Sequence, residues 1–216
     1  MGTTIRPALL EVDLQKDFFP GGSLGIEGAF DIVAPINMLQ GWFLMKRCPI
    51  IRSRDWHDED HSSFVEQGGP WPIHTVKHDL GSQFVGDLKT VPAIVLNKGT
   101  GREEAYSVVT NEYGQIHEGN FTVLQGLMVN RFFLVGLAAE YCVYETAKDL
   151  LHHFGSSEVI IVEDCIRAVS HDDAVKKMRH LADLGAQFTT SDVILSDHLV
   201  AVAAEPPFKH RPLIFK

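Results

Sequence analysis

Short runs of almost wholly apolar residues alternate along this chain with longer segments whose apolar residues recur at helical spacing. A strand that is buried on both faces needs apolar residues on both, so such runs are typical of a parallel sheet covered by helices on each side. The runs predict strands at 8–13, 48–53, 93–96, 132–135 and 159–162, and a short one at 187–189. We therefore expect a three-layer α/β/α fold whose mainly parallel, doubly wound central sheet has about six strands.

The segments between these runs predict helices at 32–46, 122–129, 141–154 and 172–184. Gly155 and Gly185 each stand where a helix commonly ends with a glycine. In a parallel sheet the carboxyl ends of the strands meet at one edge, where such folds bind their ligands. The residues with reactive side chains that stand at or after predicted strand ends should therefore gather there; they are Asp13, Asp55, Lys98 and Cys142.

The charge balance of the chain argues against a nucleic-acid partner. Its 216 residues include 19 Lys and Arg against 28 Asp and Glu, a formal net charge of −9, and the sequence has no basic cluster of the kind that a phosphate backbone requires. The longest apolar stretch, 132–139, is far shorter than the ~20 residues of a membrane-spanning helix, so no membrane partner is expected. Three widely spaced cysteines do not suggest a disulfide framework, and we expect a reducing, cytoplasmic location.

The whole chain, 1–216, is predicted to form one domain, since its length is close to that of a single ordinary domain. The segment 55–91 interrupts the alternation, because it is rich in His, Gly and Pro and has little periodicity. Loops of this length inside a domain are commonly functional, and the aromatic residues Trp56 and Phe64 argue against disorder. We expect a functional loop insertion at 55–91 and an irregular C-terminal tail at 205–216.

Cys142 is the first candidate for a catalytic residue. It follows the predicted strand at 132–135 and begins the next predicted helix. The positive end of a helix dipole lowers the pKa of a thiol, and the free backbone N–H groups there can hold a developing oxyanion. The alternative is a buried, unreactive cysteine, which is the commoner fate of a single cysteine. We expect that fate for Cys48 and Cys165, which lack this setting.

Asp55, His57 and His74 form a second candidate group, in the loop insertion. One carboxylate and two imidazoles suit Zn²⁺, Fe²⁺ or Mn²⁺, with coordination positions left open for water or a ligand. Asp55 and His57 are two residues apart, so in an extended segment their side chains point to the same side. His61 and His78 are competing ligands, and an acid–base pair without a metal is a further alternative.

Asp13 and Lys98 are a third candidate group at the same predicted edge of the sheet. A carboxylate at a buried strand end can act as a general base if its surroundings adjust its pKa. A lysine beside it would hold the carboxylate ionised and could stabilise a nearby anion. The alternative is a partly buried salt bridge with no catalytic part.

Several motifs follow one another in order along the chain. They are Val12-Asp13-Leu14-Gln15-Lys16-Asp17-Phe18, Arg54-Asp55-Trp56-His57, Gly69-Pro70-Trp71-Pro72-Ile73-His74, Lys98-Gly99 with Tyr106-Ser107, and Gly136-Leu137-Ala138-Ala139-Glu140-Tyr141-Cys142-Val143. Each alone is weak evidence, but the ordered set resembles the nicotinamidase branch of the isochorismatase-like cysteine hydrolases. The resemblance extends over about residues 8–191.

The resemblance implies roles for the matching residues. It implies a catalytic triad of Asp13, Lys98 and Cys142, and metal ligands that are Asp55, His57 and His74. A cis peptide between Leu137 and Ala138 would direct the Ala138 N–H, together with that of Cys142, into an oxyanion hole. Other matching positions are Glu66, which in some relatives supports the metal ligands, and the substrate-binding residues Phe18, Trp71, Tyr106 and Leu137.

The activity that the resemblance implies is hydrolysis of nicotinamide to nicotinic acid and ammonia through a thioester, in NAD salvage. Pyrazinamide is expected as a further substrate. One divalent metal ion is implied, with zinc expected first and iron or manganese as alternatives, and so is self-association into a homo-oligomer. One alternative is a sister hydrolase acting on another small amide or N-carbamoyl compound, for which the metal-ligand group would be surplus. Another is a non-catalytic binding protein, which predicts the loss of a triad member.

Some residues depart from the family's usual pattern: Lys16 replaces Asn, Asp58 replaces Pro, Thr75 replaces Cys and Glu140 replaces Asp. None of these changes removes a proposed catalytic group or metal ligand. We expect Lys16 and Thr75 to affect the surroundings of the metal or the preference for substrate.

Overall fold

In the computed structural model, which describes residues 5–196, a single sheet forms the centre of the fold. Its strands are β1 (Pro7–Val12), β2 (Ile50–Asp55), β3 (Ile94–Lys98), β4 (Arg131–Gly136), β5 (Glu158–Ile166) and β6 (Gln187–Thr189). Neighbouring strands are parallel throughout, in the order β3-β2-β1-β4-β5-β6. The direction of winding reverses between β1 and β4, which in such sheets is where ligands bind. The predicted fold class is confirmed.

Helices cover both faces of the sheet. On one face lie α1 (Val33–Met45) and α5 (Ser191–Leu195), and on the other α2 (Glu118–Gly126), α3 (Tyr144–His153) and α4 (His171–Leu184). Successive residues of β1 point to opposite faces, so Leu9 packs in the core beneath α1 and Leu10 in the core beneath α3 and α4. This arrangement explains why β1 and β4 carry apolar residues in succession.

The predicted boundaries shift where local interactions decide them. The helix predicted at 122–129 begins at Glu118, because the His117 side chain accepts a hydrogen bond from the Asn120 N–H and caps the helix. β2 begins at Ile50 rather than at 48, after a turn in which Arg47 has a φ of 57°. The short helix α5 was not predicted, since it is too short to show helical periodicity.

The glycine predictions and the helix at 141–154 have mixed outcomes. Gly185 ends α4 with a φ of 105°, as predicted. The prediction for Gly155 is wrong, because α3 ends at His153 and Phe154 takes the capping position.

A π-helical turn, Ala139–Val143, precedes α3 and carries Cys142. Such turns occur frequently at functional sites.

The long connection between β2 and β3 is compact although it has little regular structure. It contains a 3₁₀ turn, Val65–Gln67, and isolated bridges that join His57 to Val76 and Phe64 to Trp71. His57 and Phe64 are fully buried, so the loop packs over the end of the sheet. The predicted tail at 205–216 lies outside the described residues. Within residues 5–196, no helix combines the length and the hydropathy that crossing a membrane would need.

Candidate active site

The carboxyl ends of β1, β2 and β3 bring three charged side chains together. Asp13 directly follows β1, Asp55 ends β2 and Lys98 ends β3. The fully buried Lys98 Nζ lies 2.8 Å from Asp13 Oδ2 and also contacts Asp55 Oδ1. Cys142 Sγ, in the turn after β4, lies 3.2 Å from the same ammonium nitrogen. The structure thus brings together the four residues that the sequence placed at one edge of the sheet.

Asp13 is a fully buried carboxylate whose pKa is set by opposing effects. Burial raises the pKa of Asp13, Lys98 lowers it, Asp55 raises it, and the hydrogen bond from Ser53 lowers it. The net pKa lies above the ordinary value of an aspartate, so the expectation that Lys98 would simply hold the group ionised neglected desolvation. A carboxyl group with a raised pKa can take up a proton and return it, as a general base must.

Burial also decides the resting state of the Cys142 thiol. We expected the helix N-terminus to lower its pKa, but burial raises the pKa of Cys142 well above its ordinary value against the opposing effect of Lys98. The carboxylates of Asp13 and Asp55 raise it further, and a carboxylate oxygen of Asp13 lies within 4.8 Å of the Cys142 sulfur. The expectation of a low thiol pKa is therefore wrong. This thiol needs a base to become a nucleophile, and Asp13 is in contact with it.

Asp55, His57 and His74 form a buried group whose ligand atoms all lie within 4.8 Å of one another. His57 Nδ1 bonds to the Gly99 carbonyl oxygen at 2.9 Å and His74 Nδ1 to the Pro72 carbonyl oxygen at 2.7 Å. Each ring therefore keeps Nε2 for another partner. Among the described residues, the buried His57 Nε2 has no hydrogen-bond partner. A divalent metal ion would satisfy that nitrogen, so the residues present fit a metal site.

The protonation state of His57 agrees with this fit. Burial lowers the pKa of His57 to about 2, with further lowering by His61 and His74. A neutral imidazole is the form that binds a metal. Gly99 has a φ of 58°, and a Cβ at this position would lie 2.3 Å from His57 Cε1. Only glycine leaves room for the ring where it stands.

His61, a competing ligand in the sequence, already has both ring nitrogens engaged. Nδ1 bonds to Ser63 Oγ at 2.7 Å, and Nε2 to the Glu103 carbonyl oxygen at 3.1 Å. The ring stacks on that of His57, with 3.9 Å between the ring centroids. His61 therefore supports a metal-ligand candidate and is not itself part of the group.

The structure does not bring His78 or Glu66 into the buried ligand group. The His78 ring packs edge-on against Trp56, at 5.2 Å between centroids. Glu66 lies exposed on the 3₁₀ turn Val65–Gln67. Because an exposed carboxylate on that turn is separated from the buried group, its position does not support the predicted role beside the metal.

A cavity reaches from Cys142 to the metal-ligand candidates Asp55 and His74. Aromatic side chains form much of its wall; they are Phe18, Trp71, Tyr106 and Tyr141. Trp71 Nε1 donates a hydrogen bond to the Tyr106 hydroxyl at 2.9 Å, and Tyr141 packs edge-on against Trp71 at 5.2 Å. These contacts fix an apolar slot that suits a small, flat ring.

The prediction that Leu137 lines the substrate pocket is wrong. Its side chain is fully buried in the apolar core beneath α1 and does not line the cavity. The peptide bond between Leu137 and Ala138 is cis, as the resemblance implied. Ala138 lines the cavity beside Cys142, so the residue after the cis bond, and not the one before it, faces the ligand space.

Sequence reasoning missed three polar residues of the site. Glu104 lines the cavity, but it lies in an aperiodic segment that gave no signal. Tyr141 also lines the cavity, and its position next to Cys142 in the chain could have indicated this. Ser53 hydrogen-bonds to Asp13, and its place two residues before Asp55 on a strand puts it on the same face.

Two departures from the family pattern have a local explanation. The Glu140 carboxylate accepts a hydrogen bond from the Ser170 N–H at 2.6 Å, which holds the segment of Val169 beside the cavity. Asp58 forms an ion pair with Lys77 at 2.7 Å, and the same lysine donates to the Thr100 carbonyl oxygen at 2.8 Å. The charged residue at 58 thus helps to fasten the loop that follows β3.

The other two departures differ in their distance from the metal-ligand candidates. Thr75 directly follows His74, has a φ of 44°, and donates its N–H to Asp17 Oδ2 at 2.7 Å. That bond fixes the backbone beside a candidate ligand. Lys16 donates to Gln83 Oε1 at 2.9 Å in an exposed contact, and it does not line the cavity.

Comparison with known proteins identifies the family. Residues 7–193 match the family described as the Isochorismatase domain. The chain belongs to the isochorismatase family. The match contains all strands of the sheet and every residue of the site.

Relatives within the isochorismatase family include enzymes with a named activity. The nicotinamidase of Escherichia coli strain K12 is 30% identical over 175 residues, which cover 73% of this chain and 82% of the E. coli protein. The solved pyrazinamidase of Pyrococcus horikoshii in complex with zinc is 34% identical, with a TM-score of 0.77 over 86% of this chain and 99% of that one. PnC1 from L. infantum in complex with nicotinate is 30% identical, with a TM-score of 0.80 over 89% and 98% of the chains.

Proposed function

We propose that this chain is a nicotinamidase, an amidohydrolase that converts nicotinamide to nicotinic acid and ammonia. The observation that carries the proposal is the meeting of Asp13, Lys98 and Cys142 at the end of a cavity whose other end holds a three-residue metal-ligand group. The nicotinamidase and the nicotinate-bound relative described above support it. The structure of the pyrazinamidase relative supports pyrazinamide as a second substrate.

In the proposed mechanism, Asp13 removes the proton of the Cys142 thiol, and the sulfur attacks the carboxamide carbon. The Ala138 and Cys142 N–H groups hold the oxyanion, each such donor contributing about 3 kcal/mol. Asp13 returns its proton to the departing nitrogen, so that ammonia leaves and a thioester remains. Water then adds to the thioester, nicotinic acid leaves, and the sulfur recovers a proton. Lys98 remains an ammonium throughout and offsets the negative charge that passes between Asp13 and Cys142.

Asp55, His57 and His74 are proposed to hold one divalent metal ion. When bound, the ion would supply a Lewis-acid centre for the pyridine nitrogen and so orient the ring. We propose zinc, since one carboxylate and two imidazoles suit it and a relative was solved in complex with zinc; iron and manganese suit the same ligands. The metal-ligand group favours nicotinamide over an N-carbamoyl substrate, because the latter would leave the group without a use.

The aromatic wall is proposed to clamp the ring between Phe18, Trp71 and Tyr106. When the ring is held with its carboxamide against Cys142, attack by the sulfur is effectively an intramolecular reaction. Such positioning can lower the activation barrier by several kcal/mol. We further propose a role in NAD salvage, self-association, and a cytoplasmic location in which the three cysteines stay reduced. All three are free thiols in the structure.

The experiment that tests the proposal is an assay of ammonia release with nicotinamide, pyrazinamide and an N-carbamoyl amine. Nicotinamide should be hydrolysed, activity should fall on chelation, and it should return when zinc is added. Cys142→Ala should lose about 1,000-fold or more in kcat, since the nucleophile is gone. Cys165→Ala, a second buried cysteine outside the cavity, is the matched control and should retain activity. Substantial turnover by Cys142→Ala would contradict the covalent mechanism.

A further inference from the structure

We propose that Ser53 is a positioning residue that fixes the carboxylate of Asp13 for proton transfer with Cys142. The inference rests on the proposed function in one respect, namely that Asp13 acts as the base. Neither the sequence motifs nor the resemblance assigns a role to Ser53. We infer the role of Ser53 from its contacts in the structure.

Ser53 and Asp13 are joined by two hydrogen bonds. Ser53 Oγ donates to Asp13 Oδ1 at 2.6 Å, and it accepts from the Asp13 backbone N–H at 3.2 Å. A single hydroxyl group thus holds both the backbone and the carboxylate of the same residue. Both residues are completely buried, so these bonds form away from bulk water.

Asp13 needs such a restraint because it stands where the chain leaves β1. Its φ of 49° lies in the left-handed region, which residues other than glycine seldom adopt. The hydrogen bond to the N–H holds the backbone in that conformation, and the bond to Oδ1 limits rotation of the carboxylate. Ser53 supplies both from β2, the neighbouring strand.

As a result, the two carboxylate oxygens of Asp13 have different partners. Oδ1 is occupied by Ser53, and Oδ2 faces Lys98 Nζ at 2.8 Å. The same Nζ lies 3.2 Å from Cys142 Sγ, so the carboxylate is held on the side of the nucleophile. Proton transfer depends steeply on such geometry, because misplacement by about 1 Å can cost a hundredfold in rate.

The consequence of removing the hydroxyl follows from these contacts. Ser53→Ala would leave Asp13 Oδ1 and the Asp13 N–H without this partner and free the carboxylate to turn. Substrate contacts would remain, since Ser53 does not line the cavity. The loss should therefore fall on kcat and not on KM.

The test compares wild type with three variants in ammonia release from nicotinamide. Ser53→Ala should lose about 10- to 100-fold in kcat, while KM and metal content stay within about twofold of wild type. Ser53→Thr, which keeps the hydroxyl, should restore kcat to within about threefold of wild type. Ser82→Ala is the matched control, because Ser82 is equally buried but its hydroxyl bonds to the Asp79 carbonyl oxygen. It should match wild type.

Several outcomes would overturn the proposal: unchanged kcat in Ser53→Ala, an equal loss in Ser82→Ala, or no rescue by threonine. If Ser53→Ala fails to fold, Ser53→Cys replaces it, since the thiol has similar size and is a weak donor. A wild type that releases no ammonia would contradict the proposed function instead. The same proteins are then compared by the rate at which iodoacetamide alkylates Cys142, which needs no substrate. That rate should change by about threefold or more in Ser53→Ala and not in the threonine or control variants.

Discussion

Asp55 and Lys98 are paired in the register of β2 and β3, and their side chains meet in a buried ion pair where those strands end. Lys98 also contacts Asp13 and Cys142, so one ammonium joins the proposed triad to a candidate metal ligand. Burial alone would lower the pKa of Lys98, but Asp13, Asp55 and Cys142 together raise it well above its ordinary value. The group therefore stays charged although no part of it is exposed.

Replacing Lys98 with methionine should destabilise the protein as well as inactivate it. The change leaves two buried carboxylates without their cation, which typically costs about 3–5 kcal/mol. The pKa of Asp13 is already raised by burial, so its folded form binds protons more tightly than its unfolded form. The loss of stability of Lys98→Met relative to wild type should therefore be largest at neutral pH, and it should shrink as the pH falls and Asp13 becomes protonated. Urea unfolding at a series of pH values measures this, with Lys89→Met, an exposed lysine, as control. Equal stability of Lys98→Met and wild type at neutral pH would contradict the prediction.

His57→Ala and His74→Ala should each lower the bound metal. Each removes one of the three ligands and should raise KM for nicotinamide by about tenfold or more, because the ring loses its anchor. Elemental analysis of the purified variants gives the metal content, and ammonia release gives KM. His78→Ala, which lies against Trp56 outside the ligand group, should keep both values. Full metal occupancy in His57→Ala and His74→Ala would show that other residues hold the ion.

Glu104 predicts a pH dependence of stability with a defined sign. Burial raises its pKa from 4.5 to about 7, Asp55 adds to the effect, and Lys98 opposes it. The contribution of Glu104 to stability is therefore fully present below pH 4.5 and is lost as pH rises through about 7. Glu104→Gln should remove this loss. The free energy of unfolding of the variant, relative to that of wild type, should therefore rise by about 1–2 kcal/mol from acid to alkaline pH.

Unfolding free energies of wild type and Glu104→Gln across that range provide the measurement. Glu103→Gln is the matched control, because its side chain is exposed and adjacent in the chain. Its curve should run parallel to that of wild type. A parallel curve for Glu104→Gln as well would show that the cavity does not perturb this carboxyl group.

Tyr106→Phe should weaken substrate binding more than catalysis. The change removes the hydroxyl that accepts the hydrogen bond from Trp71 Nε1, and so loosens one wall of the cavity. A lost hydrogen bond of about 1 kcal/mol corresponds to a rise in KM of about fivefold, with kcat less affected. Tyr144→Phe, which loses a hydrogen bond to His180 and does not line the cavity, should leave KM unchanged. A fall in kcat without a rise in KM would assign Tyr106 to the chemical step.

The sequence was sufficient to predict that three charged side chains of the site lie together, because each stands at a strand end. Asp13, Asp55 and Lys98 follow apolar runs, and a parallel sheet brings such positions to one edge. Ser53 was missed because it is the last residue of the strand predicted at 48–53, where a small polar residue resembles an ordinary strand residue. Glu104 was missed because the segment after β3 has no periodicity from which the direction of its side chain could be inferred.

Interactions that depend on burial depth could not be predicted from the pattern. The helix N-terminus suggested a low pKa for Cys142, but desolvation is the larger effect, and its size depends on how deeply the thiol lies. The resemblance assigned Leu137 to the pocket, yet its side chain is fully buried in the core. The resemblance identified the cis peptide, and residue types and spacing had already indicated the metal-ligand candidates, while the exposed position of Glu66 required coordinates.

Lys98 and Gly99 are consecutive, yet one supplies the ammonium of the proposed triad and the carbonyl oxygen of the other accepts the hydrogen bond that orients His57. Since a Cβ at residue 99 would overlap the His57 imidazole, almost no substitution should be tolerated in this dipeptide. Any shift of the end of β3 would move the Lys98 ammonium away from Asp13 and Cys142 and would also move the carbonyl oxygen that orients His57. A gradual change of sequence at this point could therefore not remove the candidate metal site and leave the proposed triad intact, because the two depend on adjacent residues.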